Sequence, residues 1–179
     1  MSQYYGQNST INKLTGELWS EGVQTYSGDG GDNEIAVPGP GSGYSFAYAH
    51  IKFSGSGVSS NSYTQFHNSS DNHLSMEYSC RYHRQDGGNN YYVGNSTWQK
   101  YADSQDCSTG WLARFWIPVG NYDRVQVSGC ISWSYNGVGI AETHGSYQRQ
   151  GSDNIGKVGV NIDGSGTVTG MHWRVIGYR

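Results

Sequence analysis

A two-residue alternation of apolar and polar side chains is the feature that most restricts what this sequence can fold into. From Arg124 to Tyr135, apolar Val125, Val127, Ile131, Trp133 and Tyr135 alternate with Arg124, Gln126, Ser128, Ser132 and Ser134. Phe46, Tyr48 and His50 oppose Ala47, Ala49, Ile51 and Phe53 in the same way. Val158, Val160 and Ile162 oppose Lys157, Gly159 and Asn161, and Thr167 to Ile176 splits into two faces likewise. A period of two is that of a strand with one face buried. Gly129 falls on an apolar face, a position where strands bend or bulge. No window carries the i, i+3, i+4 spacing of an amphipathic helix. Composition agrees: 27 Gly, 15 Tyr and 6 Trp leave few strong helix formers, and aromatics at 14% are too many for a disordered chain.

Turn residues punctuate these runs at Ser54 to Gly57, Asp86 to Asn90, Asn136-Gly137 and Asp163 to Gly166. Asn136-Gly137 supplies the positive φ angles of a two-residue type I′ hairpin leading into Val138 to Ala141. Asp163 to Gly166 is expected to close a second hairpin. The stretch Asp29 to Gly43 reads as a loop, with Glu34 to Val37 a short edge strand. Strands at this spacing, with such turns, predict an all-β fold: an antiparallel β-sandwich, jelly-roll-like, with about 8–10 strands and no substantial helix. It is expected to form one domain over residues 14–179, preceded by an N-terminal arm over residues 1–13. Four lysines leave few charges to guard sheet edges, so self-association over some edges is expected.

Charge and motifs exclude several functions. A net charge of −3, with arginines isolated rather than striped, argues against a nucleic-acid partner. No apolar run approaches the ~18–20 residues of a membrane-crossing helix, so no membrane insertion is expected. The first residues lack a secretory pattern, so the chain is expected to be made in a cytosol or to be a processed fragment. Cys80, Cys107 and Cys130 include no CxxC pair, and the six histidines form no HxH or HExxH. The acidic loop Asp29 to Glu34 misses the EF-hand pattern. No metal site and no cofactor are therefore expected. No nucleophile elbow is present, and Glu77, Asp86, Asp123 and Glu142 are not paired by spacing as glycosidase carboxylates. No catalytic residue is assigned.

What remains is a surface rich in Tyr, Trp, Asn, Ser and Gly, the composition of adaptable recognition faces. Tyr63, Tyr78, Tyr82, Tyr91, Tyr92, Trp98 and Tyr101 concentrate in the middle third, where alternation is weakest. The candidate ligand-binding group is Asn89, Asn90, Tyr91, Tyr92, Trp98 and Tyr101, with rings to stack on sugars. The same rings would equally fill the core of a sandwich.

The last third carries a resemblance. Trp111 to Pro118, Tyr122 to Gly129, Gly137 to Ala141 and the closing Gly164 to Arg179 are similar to terminal β-sandwich modules of tailed-bacteriophage virion proteins: fibre tips, head fibres and decoration proteins. The likeness covers roughly the C-terminal 70 residues and carries no functional residue across. It implies a non-enzymatic virion surface protein made in the host cytoplasm, commonly a homotrimer. Its partners would be other virion proteins and host surface glycan. Full fibres carry a long shaft before the tip, whereas Met1 here leads almost directly into the domain. On this reading Leu14, Leu18 and Trp19 are early anchors and Met1 to Ile11 is a docking arm. A free-standing lectin or carbohydrate-binding module is the competing expectation, and a glycan-degrading enzyme a third.

Overall fold

The computed structural model describes residues 16–25, 33–56, 60–85, 87–97, 99–105, 107–120, 124–135, 139–150, 154–162 and 167–179. The expected arm lies outside them. The described residues form strands and turns with no helix. The strands are β1 (Gly16–Thr25), β2 (Asn33–Ala36), β3 (Phe46–Ser56), β4 (Ser60–His67), β5 (Met76–Arg84) and β6 (Asn89–Ser96). They continue with β7 (Gln99–Gln105), β8 (Cys107–Pro118), β9 (Arg124–Tyr135), β10 (Gly139–Gln150), β11 (Lys157–Ile162) and β12 (Thr167–Tyr178).

Two antiparallel sheets pack face to face. The large one runs β1-β12-β3-β8-β9-β10-β5-β6 and the small one β2-β11-β4-β7. The order becomes simple once the hairpins β5–β6 and β9–β10 are set aside. The other eight strands pair as a folded-over ribbon, β1 with β12, β2 with β11, β3 with β8 and β4 with β7. Alternate rungs of that ribbon lie in opposite sheets, which is a jelly roll. The two hairpins then extend one sheet past β8, doubling its width. The strand count of twelve among the described residues exceeds the expected range because β5, β6 and β7 come from the middle third, where Gly, Asn and Ser blur the alternation.

The alternating runs divide as their period requires. Ala47, Ala49, Ile51 and Phe53 of β3 are buried, as are Trp111, Ala113, Phe115 and Ile117 of β8, Val127 and Ile131 of β9, and Met171 and Val175 of β12. Phe66, Val158, Val160 and Ile35 close the core from the small sheet. Phe66 stands edge-on to Phe115 at 5.9 Å and tilted to Tyr147 at 5.1 Å.

Three local expectations need correction. Gly129 is not at a bulge, since the β9–β10 ladder runs through it without a shift, opposite Gly145. A Cβ at Gly129 would lie 2.8 Å from Phe115 and one at Gly145 2.6 Å from the Tyr147 hydroxyl. These glycines make room for rings. β11 and β12 form no hairpin with each other, since β11 pairs in the small sheet and β12 in the large one; Asp163 to Gly166 themselves lie outside the described residues. The β9–β10 hairpin is present, but its ladder begins at Tyr135 and Gly139, leaving three residues between partners instead of two. Those residues, 136–138, lie outside the described set.

Candidate functional site

One face of the large sheet packs on the small sheet. The other turns outward, and cross-strand register arranges its side chains in rows. The central row runs Glu21, Arg174, His50, Arg114, Cys130, His144, Arg81, Tyr91, one residue from each of the eight strands. Beside it runs Leu18, Ile176, Tyr48, Trp116, Ser128, Ser146, Ser79, Val93. On the other side come Val23, His172, Lys52, Leu112, Ser132, Glu142, His83 and Asn89. Seven inter-strand steps of roughly 4.8 Å give each row a length of about 34 Å.

This face is unusual for a solvated sheet. Leu18 (53%), Phe46 (44%) and Trp116 (50%) are large apolar groups left exposed. Trp116 stacks obliquely on Tyr48 at 4.6 Å and on Tyr178 at 5.8 Å, a platform of three rings. Beside it lies a depression of about 300 Å³ lined by Tyr48, Arg114, Trp116, Ser128, Cys130 and His144. A larger hollow, about 470 Å³, lies toward β1 among Glu21, Val23, His50, Lys52, His172 and Arg174. A third is lined by Arg81, Asn89, Asn90 and Tyr91. The central row passes through all three.

Electrostatics follow from the row's composition. Arg174 pairs with Glu21 at 2.9 Å. The Arg114 guanidinium lies at mid-row, its Nε buried and without a hydrogen-bond partner among the described residues. Burial first, then the nearby Arg114 and Arg174, holds the His50 imidazole below its ordinary pKa. Burial pushes the Cys130 thiol up, while Arg114 favours the thiolate and Glu142 opposes it. Burial also raises the Tyr48 phenol.

Cys130, Glu142 and His144 bring one ligand-type atom each to within 4.8 Å of one another, with His144 Nε2 3.3 Å from Glu142 Oε1. As a nucleophilic triad this group lacks two requirements. Its thiol is held in the protonated form, and in mid-sheet the backbone N–H groups that would stabilise an oxyanion are engaged in the ladder.

A second polar cluster lies at the β2 side of the small sheet. Buried His67 places Nδ1 3.1 Å from Asp71 Oδ1 and 3.3 Å from Glu34 Oε2. Lys157 Nζ reaches Asp71 at 2.6 Å and Glu34 at 3.9 Å. Asp71 takes φ +67° in a turn whose amides, at Ser70 and Asn72, donate to the Asn68 side chain. Lysine already supplies the cation here, so the cluster reads as a structural clasp between β4, β11 and the turn.

The sequence-predicted site does not gather on one surface. β6 sends Asn89 and Tyr91 outward and Asn90 and Tyr92 the other way. Tyr91 is 63% exposed and its hydroxyl meets Ser79 Oγ at 2.8 Å. Tyr92 packs partly buried against the core, with the Asn90 amide donating to its hydroxyl at 3.2 Å. Tyr82 is buried and Tyr78 packs partly buried against the core. Trp98 and the side chain of Tyr101 lie outside the described residues. The platform of Tyr48, Trp116 and Tyr178 was missed because its successive members are 68 and 62 positions apart. Its signal was the polar-face side of alternating runs, where Phe46, Tyr48, Trp116 and Tyr178 are aromatics that a solvated face does not need.

No protein-family model matches this chain, and no curated protein matches it.

Proposed function

We propose that this is a non-enzymatic surface protein of a bacteriophage virion that binds host glycan through the outer face of its large sheet. The observation that carries the binding part is the exposed Trp116, stacked with Tyr48 and Tyr178 beside the hollow that holds Arg114 and His144. Sugars present apolar C–H faces and ringed hydroxyls. A ring platform takes the first, and flanking Arg, His and Ser side chains take the second. The length of the row suits an extended saccharide better than a single sugar. The virion part rests on the resemblance of the C-terminal third and on fold-level analogy, since jelly rolls recur in viral capsid and lectin domains. Attachment to other virion proteins, and assembly as a homotrimer, belong to the same reading. Self-pairing would use the open edges at β1 and β6, or at β2 and β7.

The test is a glycan array probed with the native chain, Trp116→Ala and Tyr91→Ala. Native binding to one glycan class, lost in Trp116→Ala with an unchanged melting temperature, supports the reading. Silence of the native chain across the array removes glycan binding. Loss in Tyr91→Ala alone moves the site to β6. An antibody to the chain that fails to label assembled phage particles removes the virion assignment and leaves a free lectin.

A further inference from the structure

We propose that Cys130, Glu142 and His144 form a site for one zinc-class divalent ion on the outer face of the large sheet. Sulfur, imidazole nitrogen and carboxylate oxygen are the donor types zinc takes, and three protein ligands with a fourth position left open is its arrangement in reactive sites. Geometry agrees. Zinc bonds of about 2.0–2.1 Å at a tetrahedral angle put nitrogen and oxygen roughly 3.3–3.4 Å apart. The His144 Nε2 to Glu142 Oε1 separation is 3.3 Å. The Cys130 sulfur, within 4.8 Å of both, needs to close to about 3.6 Å for a Zn–S bond near 2.3 Å. A modest side-chain rotation covers that difference.

The scaffold fixes the three donors. Cys130 and His144 are directly opposed across the β9–β10 ladder, and Glu142 is two residues from His144 on the same face. Both strands are interior to the sheet, flanked by β8 and β5. Charge also balances, because one thiolate and one carboxylate neutralise a dication, so Arg114 next door meets a neutral complex rather than a competing cation. The cluster of Glu34, His67 and Asp71 differs in this respect, since Lys157 already occupies it. Exposure of Glu142 (45%) and His144 (58%) leaves the fourth position facing solvent, open to water or to an oxygen of a bound ligand.

The proposal does not depend on glycan binding. Chelator-treated native chain is titrated with Co(II), then Zn(II). The expected result is one Co(II) per chain, with a thiolate-to-cobalt charge-transfer band and the intense visible bands of tetrahedral cobalt, displaced by Zn(II). Cys130→Ser should abolish the charge-transfer band. His144→Gln should weaken binding by more than about tenfold, the loss that even an outer partner of a metal ligand produces. Glu34→Gln, in the other cluster, should leave the spectrum unchanged. No stoichiometric binding, a band that survives Cys130→Ser, or unaltered affinity in His144→Gln overturns the site. His144 is surface-exposed, so that variant stays decisive even where Cys130→Ser is poorly folded.

Discussion

Replacing Gly129 by alanine tests the register on which the outer face depends. An ideal Cβ at this position stands 2.8 Å from Phe115 Cδ1, 2.9 Å from Cε1 and 3.2 Å from Tyr147 Cε2, where ordinary contact begins at 3.4 Å. Neither ring has room to retreat. Phe115 and Tyr147 are essentially unexposed, and Phe66 closes against both. Overpacking of this kind costs about 1–3 kcal/mol, while losing a glycine from the unfolded chain returns about 0.4–1 kcal/mol. The net expectation is a loss of about 1–2 kcal/mol, or roughly 2–8 °C in melting temperature for a chain of this size. Urea denaturation of Gly129→Ala, Phe115→Leu and the double variant completes the cycle. Shrinking the ring removes most of the clash, so the double variant should be more stable than the sum of singles by at least about 0.5 kcal/mol. Strict additivity would refute the clash. A neutral Gly129→Ala, within about 0.5 kcal/mol, would place residue 129 on the surface. Because a one-residue slip turns every side chain over, Ser128 and Cys130 would then point inward and both proposed surfaces would fall with it.

Other consequences are local. Burial raises the Cys80 thiol to about 11, and its S–H donates to the Tyr147 hydroxyl at 3.4 Å, so native Cys80 should resist a thiol reagent at pH 8 until the chain unfolds. Rapid labelling in a Cys107→Ser/Cys130→Ser background would contradict the packing of β5 on β10. His50 has a lowered folded pKa, so the unfolded chain protonates first and acid below the ordinary imidazole range erodes stability through this residue. Its NMR titration midpoint should rise in Arg114→Gln, and no movement would refute the guanidinium's influence. Asp71 is held below the ordinary carboxylate range, chiefly by its hydrogen bond from Lys157. The clasp is therefore present above that range and is lost as pH falls through the folded Asp71 value. Asp71→Asn should flatten the acid limb of the stability profile, and an unchanged limb would sink the assignment.

How much was legible in the sequence depended on which side of a strand carried the information. Ala47, Ala49, Ile51 and Phe53 were readable as a buried face because period two needs only neighbours along the chain. The jelly roll itself was a reading of spacing and turn chemistry, and its nested pairing, β1 with β12 and β2 with β11, joins residues more than a hundred positions apart. Turn residues such as Asp163 to Gly166 mark where a strand ends but do not say whether the next strand stays in the same sheet. That ambiguity produced the false second hairpin. Tyr91 and Tyr92 show the same limit at a smaller scale: adjacency in sequence suggested one surface, whereas adjacency along a strand guarantees two. The reverse holds for Cys130 and His144. Fourteen positions separate them, no metal-ligand spacing links them, and a hairpin sets them side by side. Local spacing rules for zinc were derived from turns and helices, where ligands come from one short segment. On an antiparallel sheet the relevant spacing is reflected about the turn, so Cys130 pairs with His144 because 130 and 144 are equidistant from residue 137. A scan symmetric about the two-residue Asn136-Gly137 turn would have set Cys130 opposite Thr143 and missed the pair, because the site depends on the third connecting residue, which the Asn-Gly signal does not announce.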